Sequence, residues 1–143
     1  EDIFDLRLIV EAACAERAAT AIDESALQHL EHLCSRYRPG DHESYRLFLA
    51  ENLDFHRTIA EGSGNRRLAE VVTRLLEQMQ RLLILRLDLS SGGDDMVEEH
   101  HQIVAALRQR DPARARDLMA RSIVNARQAV LQSLMKRMAG RHI

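Results

Sequence analysis

Three observations predict an all-α fold, an antiparallel bundle of about six helices with an internal ligand cavity. Apolar residues recur at helical spacing in six successive stretches, and none of them alternates in the two-residue period of a half-buried strand. The breaks between these stretches carry residues that stop and start helices. Aromatic residues make up 3% of the chain, with 6 Gly and 2 Pro, too few strand and turn formers for a sandwich of short strands. With 143 residues, 45% of them hydrophobic, the chain can bury one core, so residues 1–143 are expected to form a single domain.

Taken in order, the spacing predicts helices over about 2–21, 24–37, 42–61, 65–89, 94–110 and 112–139. The first shows Ile3, Val10, Cys14 and Ala18 on one face and breaks at Asp23-Glu24-Ser25. The second stops at Arg38-Pro39-Gly40-Asp41. The third turns Tyr45, Phe48, Leu49, Phe55, Ile59 and Ala60 inward and closes in a left-handed turn at Gly62 or Gly64. The fourth carries Leu68, Val71, Leu75, Met79 and Leu82 on its inner arc and ends at Ser90-Ser91-Gly92-Gly93. Capped by Asp94 or Ser91, the fifth buries Met96, Val97, Ile103, Val104 and Leu107. The sixth takes Asp111 as its cap and Pro112 as its first residue, and faces inward with Ala115, Leu118, Met119, Ile123, Ala126, Ala129, Val130 and Leu134. Short links make sequence neighbours largely antiparallel.

Several polar residues sit where this periodicity demands apolar ones. Asn52 and His56 are four apart within the third arc, and His100 lies within the fifth while His101 falls outside it. Ser122 occupies the small-residue half of the last helix, Arg7 shares the face of Ile3 and Val10, and Arg86 continues the arc of the fourth helix. A buried polar group is costly unless something satisfies it, so their convergence predicts a binding cavity. A guanidinium among apolar neighbours needs an acceptor, and its planar fork matches a carboxylate. The predicted ligand is therefore a small organic acid. Arg7 has an alternative partner in Glu11, four residues on.

Composition narrows the class further. Lys and Arg number 20 against 22 Asp and Glu, a net charge of −2, which gives no bulk drive toward nucleic acid or anionic lipid. No apolar run approaches the length of a membrane span, and the first residues lack the pattern of a signal peptide. Cys14 and Cys34 have no metal-type spacing and read as reduced thiols of a cytoplasmic protein. The chain opens inside a helical pattern, which predicts a further segment upstream.

The stretch Asn52-Leu53-Asp54-Phe55-His56 with Ile59 and Gly64-Asn65, then Glu99-His100-His101-Gln102-Ile103, then Arg110-Asp111 with Ala115 and Met119, resembles the FCD effector domain of FadR-like GntR transcriptional regulators. Arg7, Glu11 and the Ala18-Ala19 helix extend the resemblance over nearly the whole chain. It implies a ligand-sensing, homodimerising domain with no enzymatic activity, which controls operator DNA through a winged helix-turn-helix outside this sequence. Many members of that family hold a divalent ion with an Asp, the Phe-His histidine, a second histidine and a third in the last helix. These positions read Asn52, His56, His100 and Ser122 here.

Two readings of the cavity follow: one zinc- or nickel-like ion on His56, His100 and Asn52, or a metal-free site in which Arg7, Asn52, His56, Arg86, His100 and Ser122 contact the effector directly. Imidazoles suit such ions, whereas a neutral amide and a hydroxyl are weak ligands. Two other functions compete: a structural dimerisation bundle whose polar groups satisfy one another, and a metal-dependent hydrolase using His56 and His100 with Glu99 as base. Periodicity places Glu99 off the His100 face, against the hydrolase.

Overall fold

The computed structural model describes residues 2–33, 40–84 and 94–140, the side chains of 82–84, 94 and 137 aside. Six helices occur in them: α1 (Asp2–Ala21), α2 (Glu24–His32), α3 (His42–Gly62), α4 (Arg66–Ile84), α5 (Asp94–Arg108) and α6 (Pro112–Gly140). No strand interrupts them among the described residues. The expected continuation of the second helix through 37 and of the fourth through 89 lies outside the described residues, as do Cys34, Arg86 and Ser91.

Each visible start has a local cause. Asp23, in extended conformation, accepts from the Ala26 amide, and Asp41 accepts from the Glu43 and Ser44 amides. Asn65 accepts from the Leu68 amide at 3.1 Å, and Asp111 from the Arg114 amide at 3.1 Å, directly ahead of Pro112. At the end of α3 it is Gly64 that enters the left-handed region, with φ +77°. Gly62 serves a different purpose. A Cβ there would lie 2.9 Å from Ile22 Cγ1, so the missing side chain lets the end of α1 approach the end of α3.

The first helix is the hub. It packs on α3, α4, α5 and α6, and its buried residues include Ala15, Ala18 and Ala19, whose small side chains admit close neighbours. Glu16 pairs with Arg116 and Asp5 with Arg127, so α1 and α6 run antiparallel. The second helix lies on α3 and α5, joined to the latter by Arg108, which bonds both Glu24 and Glu31. Between α5 and α6, Arg110 adopts φ 57° and donates to the carbonyls of Ala19 and Ile22, closing the carboxyl end of α1. The main core joins Phe55, Ile59, Val72, Leu76, Ile103, Leu107, Met119 and Ile123 to the inner face of α1. A smaller cluster of Tyr45, Phe48 and Leu49, packed against Met96 and Val130, stands beside it.

Two inward arcs differ from expectation. Val71 is exposed, and Val72 and Leu76 are buried in its place beside Leu75 and Met79. The fourth helix offers apolar residues at Leu68, Val71, Val72, Leu75 and Leu76, which fit two overlapping stripes, and packing on α1 and α3 selects the second. Leu134 is also exposed, because the antiparallel pairing of Asp5 with Arg127 leaves the far end of α6 beyond the start of α1.

Gly62→Ala is expected to destabilise the fold by about 1 kcal/mol. The overpacking penalty against the buried Ile22 exceeds the gain in helix propensity. A loss of a few degrees in Tm by differential scanning calorimetry checks this, and an unchanged or raised Tm would refute the close-approach reading.

Candidate functional site

Four helices bring polar side chains to one cavity between the main core and the smaller cluster. The first supplies Arg7, the third Asn52 and His56, the fifth His100 and the sixth Ser122. The apolar wall is made by Phe4, Tyr45, Phe48, Leu49, Met79 and Met96, and by Ala126, Ala129 and Val130 of α6. Its volume is about 50 Å³. Five of the six residues expected at the site therefore line one space, and the sixth, Arg86, lies outside the described residues.

Arg7, His56 and His100 are buried to 2%, 4% and 4% exposure, and Ser122 is buried as well, while Asn52 is half-buried. Arg7 does not extend to solvent. Its Nε donates to Glu11 Oε2 one turn along α1, its Nη1 meets the Met79 sulfur at 3.1 Å, and the guanidinium lies 5.8 Å from the centre of the Phe4 ring. Glu11 Oε1 stands 2.6 Å from His56 Nδ1. That pair is a close polar contact that falls short of hydrogen-bond geometry at both atoms. Glu11 thus binds a residue of α1 and a residue of α3 at once.

The carboxylate is fully buried, which alone would raise its pKa. The Arg7 guanidinium and the His56 imidazole outweigh the lost solvation and hold it down to about 2. His100 shifts down for the complementary reason: burial disfavours its charged form, and nearby His56 adds to the effect. Its ring lies parallel to Phe55 with centroids 3.9 Å apart, and His56 stands edge-on to it at 5.4 Å. The stack fixes the plane of the His100 ring. Asn52 Oδ1 and His100 Nε2 are buried with no hydrogen-bond partner among the described residues.

Sequence spacing did not identify Glu11 as the link between α1 and α3, although it marked it as a possible partner of Arg7. A carboxylate within a buried arc of α1, one turn from Arg7, was the available signal. Met79, read as core packing, also touches the Arg7 guanidinium. Asp54 is turned outward to His29 and Arg57, at 2.9 and 3.1 Å. Glu99 accepts from Asn125 on α6 at 2.9 Å and is not part of the cavity wall, so the base required by the hydrolase reading is not at the histidines. Cys14 is buried, and burial together with Glu11 pushes its thiol up to about 11, which makes it unreactive.

The residues at the family's metal positions do not fit a resident divalent ion. Among the described residues no three His, Cys, Asp or Glu side chains gather as a metal site. The carboxylate that touches His56 is already shared with Arg7, and the guanidinium would repel a cation in the same cavity. What remains is two imidazoles, an amide and a hydroxyl, a weak set lacking a charged ligand.

The FCD domain family model matches residues 2–125. Among solved structures, the chain is similar to Streptococcus agalactiae GntR, with 28% identity and a TM-score of 0.71 over 89% of this chain and 57% of that one. E. coli McbR/YncC shares the fold, with 20% identity and a TM-score of 0.74 over 92% of this chain and 67% of that one. The chain thus spans little more than half the length of the first of these proteins. A comparison with curated proteins gives no match.

The pH dependence of stability follows from Glu11. Its pKa falls from 4.5 to about 2 on folding, so the stabilisation is fully present above about pH 4.5 and lost as pH falls toward 2. The linked term is on the order of 3 kcal/mol. Glu11→Gln should be less stable at pH 7 by roughly 3 kcal/mol, because Arg7 loses its buried counter-charge. Urea unfolding of both proteins from pH 7 to pH 2.5 should show the gap closing on acidification, and a constant gap would contradict the buried pair.

Proposed function

Because the chain belongs to the FCD domain family, the non-enzymatic effector-binding part of GntR-type regulators, we propose that it is the ligand-sensing and dimerisation domain of a FadR-like transcriptional regulator, taking a small carboxylate or other anionic metabolite. The observation that carries this reading is Arg7, a buried guanidinium in a cavity wall, anchored through Nε and otherwise offered, among the described residues, the weak thioether of Met79 and the Phe4 ring. Of its five N–H donors, roughly, most remain available for the paired oxygens of a carboxylate. The ligand contacts side chains directly, without a bridging metal.

The polar residues of the cavity come from α1, α3, α5 and α6, so an anion bound to them ties together four helices. Unequal affinity for two arrangements of a homodimer is enough to bias the spacing of two DNA-reading domains outside this chain. Ile9, Leu47, Met135 and Met138 are exposed apolar side chains available for cover by a second copy. No helix among the described residues is long and apolar enough to cross a membrane, and the domain works in the cytoplasm on metabolites generated there. Residues 1–143 act as one unit in this scheme.

Two measurements test the proposal. Millimolar acetate or propionate should raise Tm in the presence of EDTA, with stabilisation approaching about 2.7 kcal/mol at a hundredfold excess over Kd. The double variant Arg7→Met, Glu11→Gln, which removes both partners of the buried pair, should abolish that shift while remaining folded. Silence toward all small acids would leave the structural bundle, and stoichiometric zinc or nickel that is lost in His56→Ala or His100→Ala would overturn the metal-free site. Light scattering should give a mass near twice the 16.3 kDa of the chain.

A further inference from the structure

The tail of α6 carries an apolar stripe that is left uncovered among the described residues. Two ion pairs fix how α6 lies on α1, Glu16 with Arg116 and Asp5 with Arg127. On that antiparallel register Asp2, where α1 begins, falls level with Val130, and the turns from Leu131 to Gly140 run about 15 Å further. Leu131, Leu134 and Met138 are exposed there, Met138 to 63%. Leu134 and Met138 follow Arg127 by seven and eleven residues, close to two and three turns, so they return to the side of α6 that meets α1. Singly scattered apolar side chains on a surface need no explanation, but these three prolong a helix-packing face beyond the helix that fills it.

We propose that this stripe seats the segment of the full chain that runs into α1 from its amino side, packed there as an apolar-faced continuation of the α1 helix. The inference rests on membership of the FCD family and on no particular ligand. The matched domain takes up 57% and 67% of the two solved relatives, which therefore carry further chain beyond it. Position selects the occupant: a helix prolonged backward along the axis of α1 lies over Leu131, Leu134 and Met138 with no loop to close. Charge argues against the tail of a second copy, because residues 128–143 hold Lys136, Arg137 and Arg141 and no acidic residue, so two such tails laid together bring like charges close. The first turn of α1 is acidic, with Asp2 and Asp5, and suits the basic tail. Met138 then belongs to the segment, and Ile9, Leu47 and Met135 remain for a second copy. Ala126, Ala129 and Val130 line the cavity directly ahead of Leu131, so a shift of α6 at the cavity wall moves the seat as well.

Maleimide labelling of the full chain, read site by site from peptide masses, tests the seat with Met138→Cys and Lys136→Cys. Both positions are exposed on the tail of α6, and Lys136, nine residues or two and a half turns after Arg127, points away from α1. In the full chain Met138→Cys is expected to react at least roughly tenfold more slowly than Lys136→Cys, because the segment must open before the thiol is reached. In residues 1–143 alone, whose folding is checked by a melting curve, the two should react at similar rates. Equal rates in the full chain would overturn the seat. Slow labelling of Met138→Cys that persists in residues 1–143 would assign the cover to a second copy and overturn it too. The double variant Leu134→Ser, Met138→Ser should lower Tm in the full chain and leave residues 1–143 unchanged, and an equal loss in both would count against the segment. No ligand enters these measurements, so silence toward small acids leaves the seat standing, and loss of the seat leaves the anion-sensing reading standing.

Discussion

Glu11 holds the site together because one buried carboxylate answers two groups on different helices. Arg7 on α1 needs a counter-charge and the His56 ring on α3 a polar partner once they leave water, and Glu11 touches both. Removing any one of the three would strand a polar or charged group in the interior, where the cost far exceeds the net gain of a satisfied pair. The arrangement is therefore self-consistent rather than strongly stabilising, and what it secures is the placement of the guanidinium. With its Nε side tied back to Glu11, Arg7 keeps the rest of its donors at the cavity wall.

The cavity is divided by chemistry. The Phe55, His56 and His100 rings form a tight group on the core side, with Phe55 flat against His100 and His56 across them. Tyr45, Phe48 and Leu49 also line the cavity, packed with Met96 and Val130 in a small cluster of their own. A polar floor fixed by aromatic packing and an apolar wall that includes methionines suits a ligand with one polar end. The loss of a carboxylate at position 52 and of an imidazole at position 122, relative to the pattern the family resemblance implies, removes the charged ligand and one of the strong neutral ligands of a divalent site.

Parts of this are legible in the sequence alone. The inward arc of α3 could be read because its apolar residues leave one consistent face, and Asn52 and His56 were visible as intruders on it. His100 was distinguished from His101 by the same argument, and the burial pattern agrees. The arc of α4 could not be read as well, since Val71 and Val72 are equally good candidates until neighbouring helices choose. Arg7 and Glu11 showed the right i, i+4 spacing, but spacing alone does not separate a solvated surface pair from a buried one.

The sequence by itself determined the all-helical architecture, most helix starts and the polar residues that share a cavity, because periodicity and capping are local and each helix carries its own record of them. Tertiary structure alone decided that Glu11 would reach across to His56, that Phe55 would lie on His100, that Met79 would meet Arg7, and that Gly62 must stay bare for Ile22. Those contacts join residues far apart in the chain. Their existence depends on how helices are placed and rotated against one another, which short-range spacing does not encode.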